Sequence, residues 1–92
     1  MDARVKKAVL EKIGETVSNV GEISEILQSL SHIQIESGDD FALGIAIGRI
    51  YNSFHYQTRR ALKRNATKEE FDEFLGIMAE KAGEIKSALK QQ

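Results

Sequence analysis

Apolar residues recur at helical spacing along nearly the whole chain. Val9, Ile13, Thr16, Val20, Ile23, Leu27 and Leu30 alternate steps of four and three. That spacing marks an amphipathic helix with one buried stripe. It predicts a helix from Ala3 to about Ile35, about 50 Å long at about 1.5 Å per residue. The other two predicted helices reach only about 35–39 Å by the same rise. The mismatch places a kink or a break in the first helix at Ser18-Asn19-Val20-Gly21, near Gly21. Gly14 and Gly21 weaken that helix further, each by up to about 1 kcal/mol relative to Ala.

The last segment repeats the pattern. Phe71, Leu75, Met78, Ala82, Ile85 and Leu89 form a heptad seam, with Phe74 and Ile77 widening it toward a bundle face. Its start is well signed. Thr67 and Glu70 have the spacing of a capping box. Glu69, Glu70, Asp72 and Glu73 then set negative charge at the positive end of the helix dipole. Between the two lies a helix over Phe41 to Asn65. The turn Glu36-Ser37-Gly38-Asp39-Asp40 precedes it, with Gly38 expected to close the first helix in the left-handed conformation and Asp39 or Asp40 to cap the next. Asn65-Ala66 is a very short connection, so the second and third helices should be antiparallel neighbours.

The pattern therefore predicts an all-α antiparallel bundle of three long helices over residues 1–92, becoming four if the first breaks fully. The expected core is Val9, Ile13, Val20, Ile23, Leu27, Leu30, Leu43, Ile47, Ile50, Phe54, Leu75, Met78, Ala82 and Ile85. Likeness to helical bundles is one of architecture, and architecture alone does not give function.

Composition narrows the classes. No run approaches the roughly 18 apolar residues of a membrane span, and Met1 to Leu10 mixes charges unlike a signal peptide. No Cys is present, which removes disulfides and thiolate metal sites and makes the cytoplasm the expected compartment. No Pro interrupts the helices. The net charge of −1 is unevenly spread: −4 over residues 1–48, +5 over 49–66 and −2 over 67–92.

The central helix carries more than a simple bundle needs. Leu43, Ile47, Ile50, Tyr51, Phe54, Thr58, Ala61 and Leu62 gather on one side, which is the expected core face. The opposite side carries Phe41, Ile45, Gly48, Asn52, Tyr56, Arg59 and Lys63, flanked by Arg49 and Arg60. Phe41, Ile45 and Tyr56 do not belong on a solvated face, so another helix or another subunit should cover them. Gly44 and Gly48 strip side chains from one ridge and let a second backbone approach. That approach can be a tight crossing inside the monomer, a homodimer contact through Phe41, Gly44, Ile45, Gly48 and Asn52, or a ligand.

The basic end, Arg59-Arg60 and Lys63-Arg64, has two readings. Cations complement the dipole at a helix C-terminus by about 0.3–1 kcal/mol each, and they can pair with Glu69 to Glu73 across the turn. With Arg49, His55 and Tyr56 they can also bind phosphates and stack on bases. That patch suits a nucleic acid or an acidic protein.

Catalytic and metal chemistry have little support. His32 and His55 are the two histidines, and neither follows a Glu by three residues as in helical di-iron bundles. Glu36 lies four after His32, a lone pair. His55 with Arg59 fits a phosphotransfer histidine only loosely. No Gly-x-Ser-x-Gly and no phosphate loop after a strand occurs. The expectation is a non-enzymatic interaction module, homodimeric, without cofactor or membrane contact. The alternative is a nucleic-acid-binding accessory protein using the basic end.

Overall fold

The computed structural model describes residues 1–90. Four helices follow one another: α1 over Ala3–Ser18, α2 over Val20–Ser29, α3 over Gly38–Leu62 and α4 over Lys68–Lys90. They pack as an all-α bundle, and α3 touches all three of the others. The amino group of Met1 sits 2.6 Å from Glu73 Oε1 at the start of α4, and Lys86 reaches Asp40 at the start of α3. Arg49 of α3 meets Glu22 of α2. α3 therefore runs antiparallel to α1 and α4, which run alongside each other.

The first predicted helix is broken, which gives the four-helix form. The break falls at Asn19 rather than at a glycine, and its cause is local. The Asn19 side-chain amide donates to Glu15 O at 2.9 Å, taking the carbonyl that its own backbone N–H would use in a continuous helix. The Asn19 N–H turns to Thr16 O instead. Val20 and Ile23 on the far side of the break remain buried. The helix then stops at Ser29, short of Ile35. Ser29 Oγ donates back to Ile26 O at 2.7 Å, and the chain leaves through turns at Leu30 and Ser31.

Gly38 does not close the first helix. It opens α3, and among the described residues no glycine has a positive φ. Ser37 rather than an aspartate is the cap, its hydroxyl accepting from the Asp40 N–H at 3.2 Å. Asp39 and Asp40 instead lie in the first turn, where the dipole favours them. A Cβ on Gly38 would lie 3.7 Å from Leu27 Cδ2, so this turn packs closely against α2. The capping box at α4 forms as its spacing predicts. Thr67 N–H donates to Glu70 Oε1 at 2.8 Å, and Glu70 N–H donates to Thr67 Oγ1 at 3.2 Å.

Val5, Val9, Ile13, Val20, Ile23, Ala42, Ala46, Ile50, Phe54, Phe74, Met78, Ile85 and Leu89 make one buried cluster. On α3 the covered positions are Ala42, Ala46, Ile50, Phe54 and Thr58, every fourth residue. Steps of four advance about 40° each around a helix of 3.6 residues per turn. The buried stripe consequently winds around α3, which is how one helix faces three neighbours. The small Ala42 and Ala46 let the N-terminal half approach closely, while Leu43 and Ile47 are only half-buried. Tyr51 is not core: it is 43% exposed, with its ring against Phe71 and Phe74 at 6.1 and 5.9 Å. On α4 the seam runs through Phe74 and Met78, and Leu75 faces outward at 46% exposed. Leu27, Leu30 and Ala82 are half-buried.

Thr16 and Thr58 are the polar residues inside. Each hydroxyl donates to the carbonyl four residues earlier, Lys12 O at 2.7 Å and Phe54 O at 2.8 Å. No partner from another helix is needed.

Candidate functional site

Three surfaces carry the residues singled out above, and α3 contributes to all of them. The first is its outer ridge. Phe41 is 41% exposed, and Gly44, Gly48 and Asn52 are exposed as well. A Cβ built on Gly44 or Gly48 meets nothing within 4 Å. The glycines therefore do not serve a tight crossing inside the monomer. Ile45 differs from the rest: it is half-buried and packs against the core cluster, so it supports the ridge from beneath.

The second surface is the basic end, which divides in two. Arg64 is engaged, donating to Glu70 Oε1 at 2.8 Å and Oε2 at 3.2 Å. That bond is the first cause of the Glu70 carboxyl falling to about 2 from 4.5, with the Thr67 N–H next. It also raises the Arg64 guanidinium. Arg59, Arg60 and Lys63 are exposed and make no ion pair among the described residues. Lys63 ends α3 with φ 58°, its N–H donating to Arg59 O at 3.0 Å.

The third surface is a groove of about 330 Å³ between α1 and α3, lined by Lys12, Arg49, Asn52, Ser53, Tyr56 and Gln57. Arg49, Asn52, Ser53 and Tyr56 fall at steps of three and four, so one face of α3 presents them together. Lys12 arrives from α1 because the two helices are antiparallel. Arg49 Nη1 lies 3.6 Å from Glu22 Oε1, beyond hydrogen-bond range. Among the described residues it is the single buried side-chain nitrogen or oxygen with no hydrogen-bond partner. Lys12 Nζ bonds to Glu15 at 3.2 Å.

Sequence reasoning put Asn52 and Tyr56, with Arg49 flanking them, on the side of α3 opposite the expected core; the structure sets all three beside α1. That reasoning missed Lys12, Ser53 and Gln57. Lys12 was out of reach, since only the antiparallel register brings it to Arg49.

The histidines do not converge. His32 is exposed in the turn after α2, and His55 is half-buried with its ring 4.6 Å from Tyr51 and 5.3 Å from Phe54. Among the described residues no three His, Asp or Glu side chains are grouped to hold a metal ion. Among them also, no helix is long and apolar enough to cross a membrane. No family model matches the chain, and neither a curated protein nor a solved structure matches it.

Proposed function

We propose that this chain is a small non-enzymatic interaction module that pairs with a second copy of itself along the outer ridge of α3. The observation that carries this reading is the open space over Gly44 and Gly48 in one ridge with the exposed Phe41. Each glycine costs a helix interior about 0.5–1 kcal/mol relative to Ala, and nothing within the bundle uses the missing side chains. A second backbone crossing at that ridge does use them. Phe41 supplies apolar area at one end, and Asn52 a polar contact at the other. A two-fold crossing sets the same ridge against itself, so one patch serves both copies.

Sedimentation equilibrium over a wide concentration range tests the pairing. The wild type should pass from monomer to dimer, while Phe41→Glu and Gly48→Gln stay monomeric with unchanged helicity. A wild type that is monomeric throughout, or a Gly48→Gln variant that pairs as well as the wild type, refutes it.

A second reading has its own support. Arg59, Arg60 and Lys63 are free of ion pairs among the described residues, in a stretch with a net charge of +5 over 49–66. With Arg49, Tyr56 and Arg64 they form a surface for a nucleic acid, or for an acidic protein. Nucleic-acid affinity would fall steeply with salt through counterion release. Fluorescence anisotropy with labelled duplex DNA and single-stranded RNA measures it. Changing Arg59 and Arg60 to Glu should abolish binding; no binding at low salt returns these cations to helix-end electrostatics.

A further inference from the structure

We propose that the groove between α1 and α3 is a binding site for a small phosphate-bearing ligand of the mononucleotide class, held between Lys12 and Arg49 and covered by Tyr56. The proposal does not require self-association, although the groove shares Asn52 with the ridge and Arg49 and Tyr56 with the surface of the second reading.

The charges come first. Two cations from different helices face one groove, Lys12 with a side chain 26% exposed and Arg49 at 25%. Their protein partners are more exposed: Glu15 at 53% and Glu22 at 61%. Partly desolvated cations paired with well-hydrated carboxylates gain little from those pairs. An incoming phosphate displaces acids that return to water at low cost. Arg49 gains most, because its ion pair with Glu22 is held only at 3.6 Å, beyond hydrogen-bond range, and a guanidinium fork matches phosphate oxygens in pairs.

The rest of the lining favours a compact ligand over a running polymer. Asn52, Ser53 and Gln57 offer amide and hydroxyl groups at successive positions along the groove. Tyr56, 54% exposed, lines it as well. Arg49 and Tyr56 are two turns apart, about 10.5 Å by the helical rise. Both line the same groove, so one compact ligand can touch both. At about 330 Å³ the groove lies at the small end of ligand sites. Apart from the Tyr56 ring its lining is polar or charged, which suits a charged ligand rather than an apolar one.

The probes are AMP, inorganic phosphate, adenosine and a short single-stranded DNA, followed by amide-resolved NMR. AMP should saturate the shifts of Asn52, Ser53 and Gln57, with inorganic phosphate weaker and adenosine weakest. Lys12→Gln and Arg49→Gln should each weaken AMP by about tenfold. Tyr56→Ala should weaken AMP while leaving inorganic phosphate unchanged. Lys12→Gln lies outside the core, so it remains decisive if Arg49→Gln disturbs folding. The proposal is overturned by an absence of saturation at millimolar AMP and phosphate, or by AMP binding indifferent to Lys12→Gln. It is also overturned if the DNA binds far more tightly than AMP and moves only Arg59 and Arg60. In that case the polymer is the ligand and the groove is not its site.

Discussion

Arg64 grips Glu70 through two parallel hydrogen bonds, 2.8 Å to Oε1 and 3.2 Å to Oε2, while Glu70 closes the capping box of α4 with Thr67. One carboxylate thus ties the end of α3 to the start of α4. The folded-state carboxyl sits at about 2 against an ordinary 4.5. A depressed carboxyl contributes stability that is complete above its unfolded value and is lost as pH falls through the folded one. The stability gap between wild type and Glu70→Gln should therefore be full at neutral pH and shrink between pH 4.5 and about 2. Thermal melts across that range measure it; a gap independent of pH removes the ionic role. Arg64 is half exposed, so added salt should narrow the gap as well. Thr67→Ala removes the other half of the box and should cost about 1 kcal/mol at neutral pH.

Phe54 and Phe74 decide where the α3–α4 seam lies. Their rings stack at 4.6 Å and 16°, and both are essentially inaccessible. Phe54→Ala should cost about 3–5 kcal/mol. That is a large share of the stability of a domain with a total of about 5–15 kcal/mol. Leu75→Ala, on the exposed side of α4, should stay within about 0.5 kcal/mol. Urea denaturation of the two variants separates them. Equal losses would restore Leu75 to the core and contradict the observed packing.

The contrast between Phe74 and Leu75 also marks how far the sequence could be read. Phe71–Leu75–Met78 and Phe74–Met78–Ile85 both satisfy helical spacing, and only the position of the neighbouring helices chooses between them. The same holds for α3, where Ala42 and Ala46 carry too little hydrophobicity to outweigh Leu43 and Ile47 in a pattern. What depends on a few adjacent residues was legible: the Thr67–Glu70 box, the basic last turn of α3 and a break within Ser18-Asn19-Val20-Gly21, though centred on Asn19 rather than Gly21. What depends on register between distant segments was not, the pairing of Lys12 with Arg49 in one groove above all. The cap at Ser37 was missed for a subtler reason, since Ser37, Asp39 and Asp40 are all competent caps within four residues.

Lys63 is the one described non-glycine residue with a positive φ, 58°. A Cβ in the left-handed region costs about 1–2 kcal/mol, and glycine is the residue that helix ends of this kind favour. Lys63→Gly should raise stability by about 1 kcal/mol, or about 4–8 °C in melting temperature for a domain of this size. Lys63→Ala should bring no such gain, because its Cβ remains. If alanine stabilises as much as glycine, the effect belongs to charge rather than to backbone conformation.

Gly48 and Gly76 offer a paired experiment on the proposed self-association. Both lie inside helices, Gly48 on α3 and Gly76 on α4, and a Cβ added at either would meet nothing within 4 Å. In an isolated bundle, alanine at either position should add about 0.5–1 kcal/mol. Pairing along α3 changes the result at one of them. A methyl group on the ridge holds the second backbone away, so Gly48→Ala forfeits the stabilisation that a bound partner contributes by mass action. Its gain should be full in dilute solution and shrink as protein concentration rises, whereas the Gly76→Ala gain should not change. Melting temperatures measured over a concentration series supply the comparison. If the two gains stay equal at every concentration, the α3 ridge is solvated in solution and the two-fold pairing is refuted, while the intrinsic cost of each glycine is still obtained.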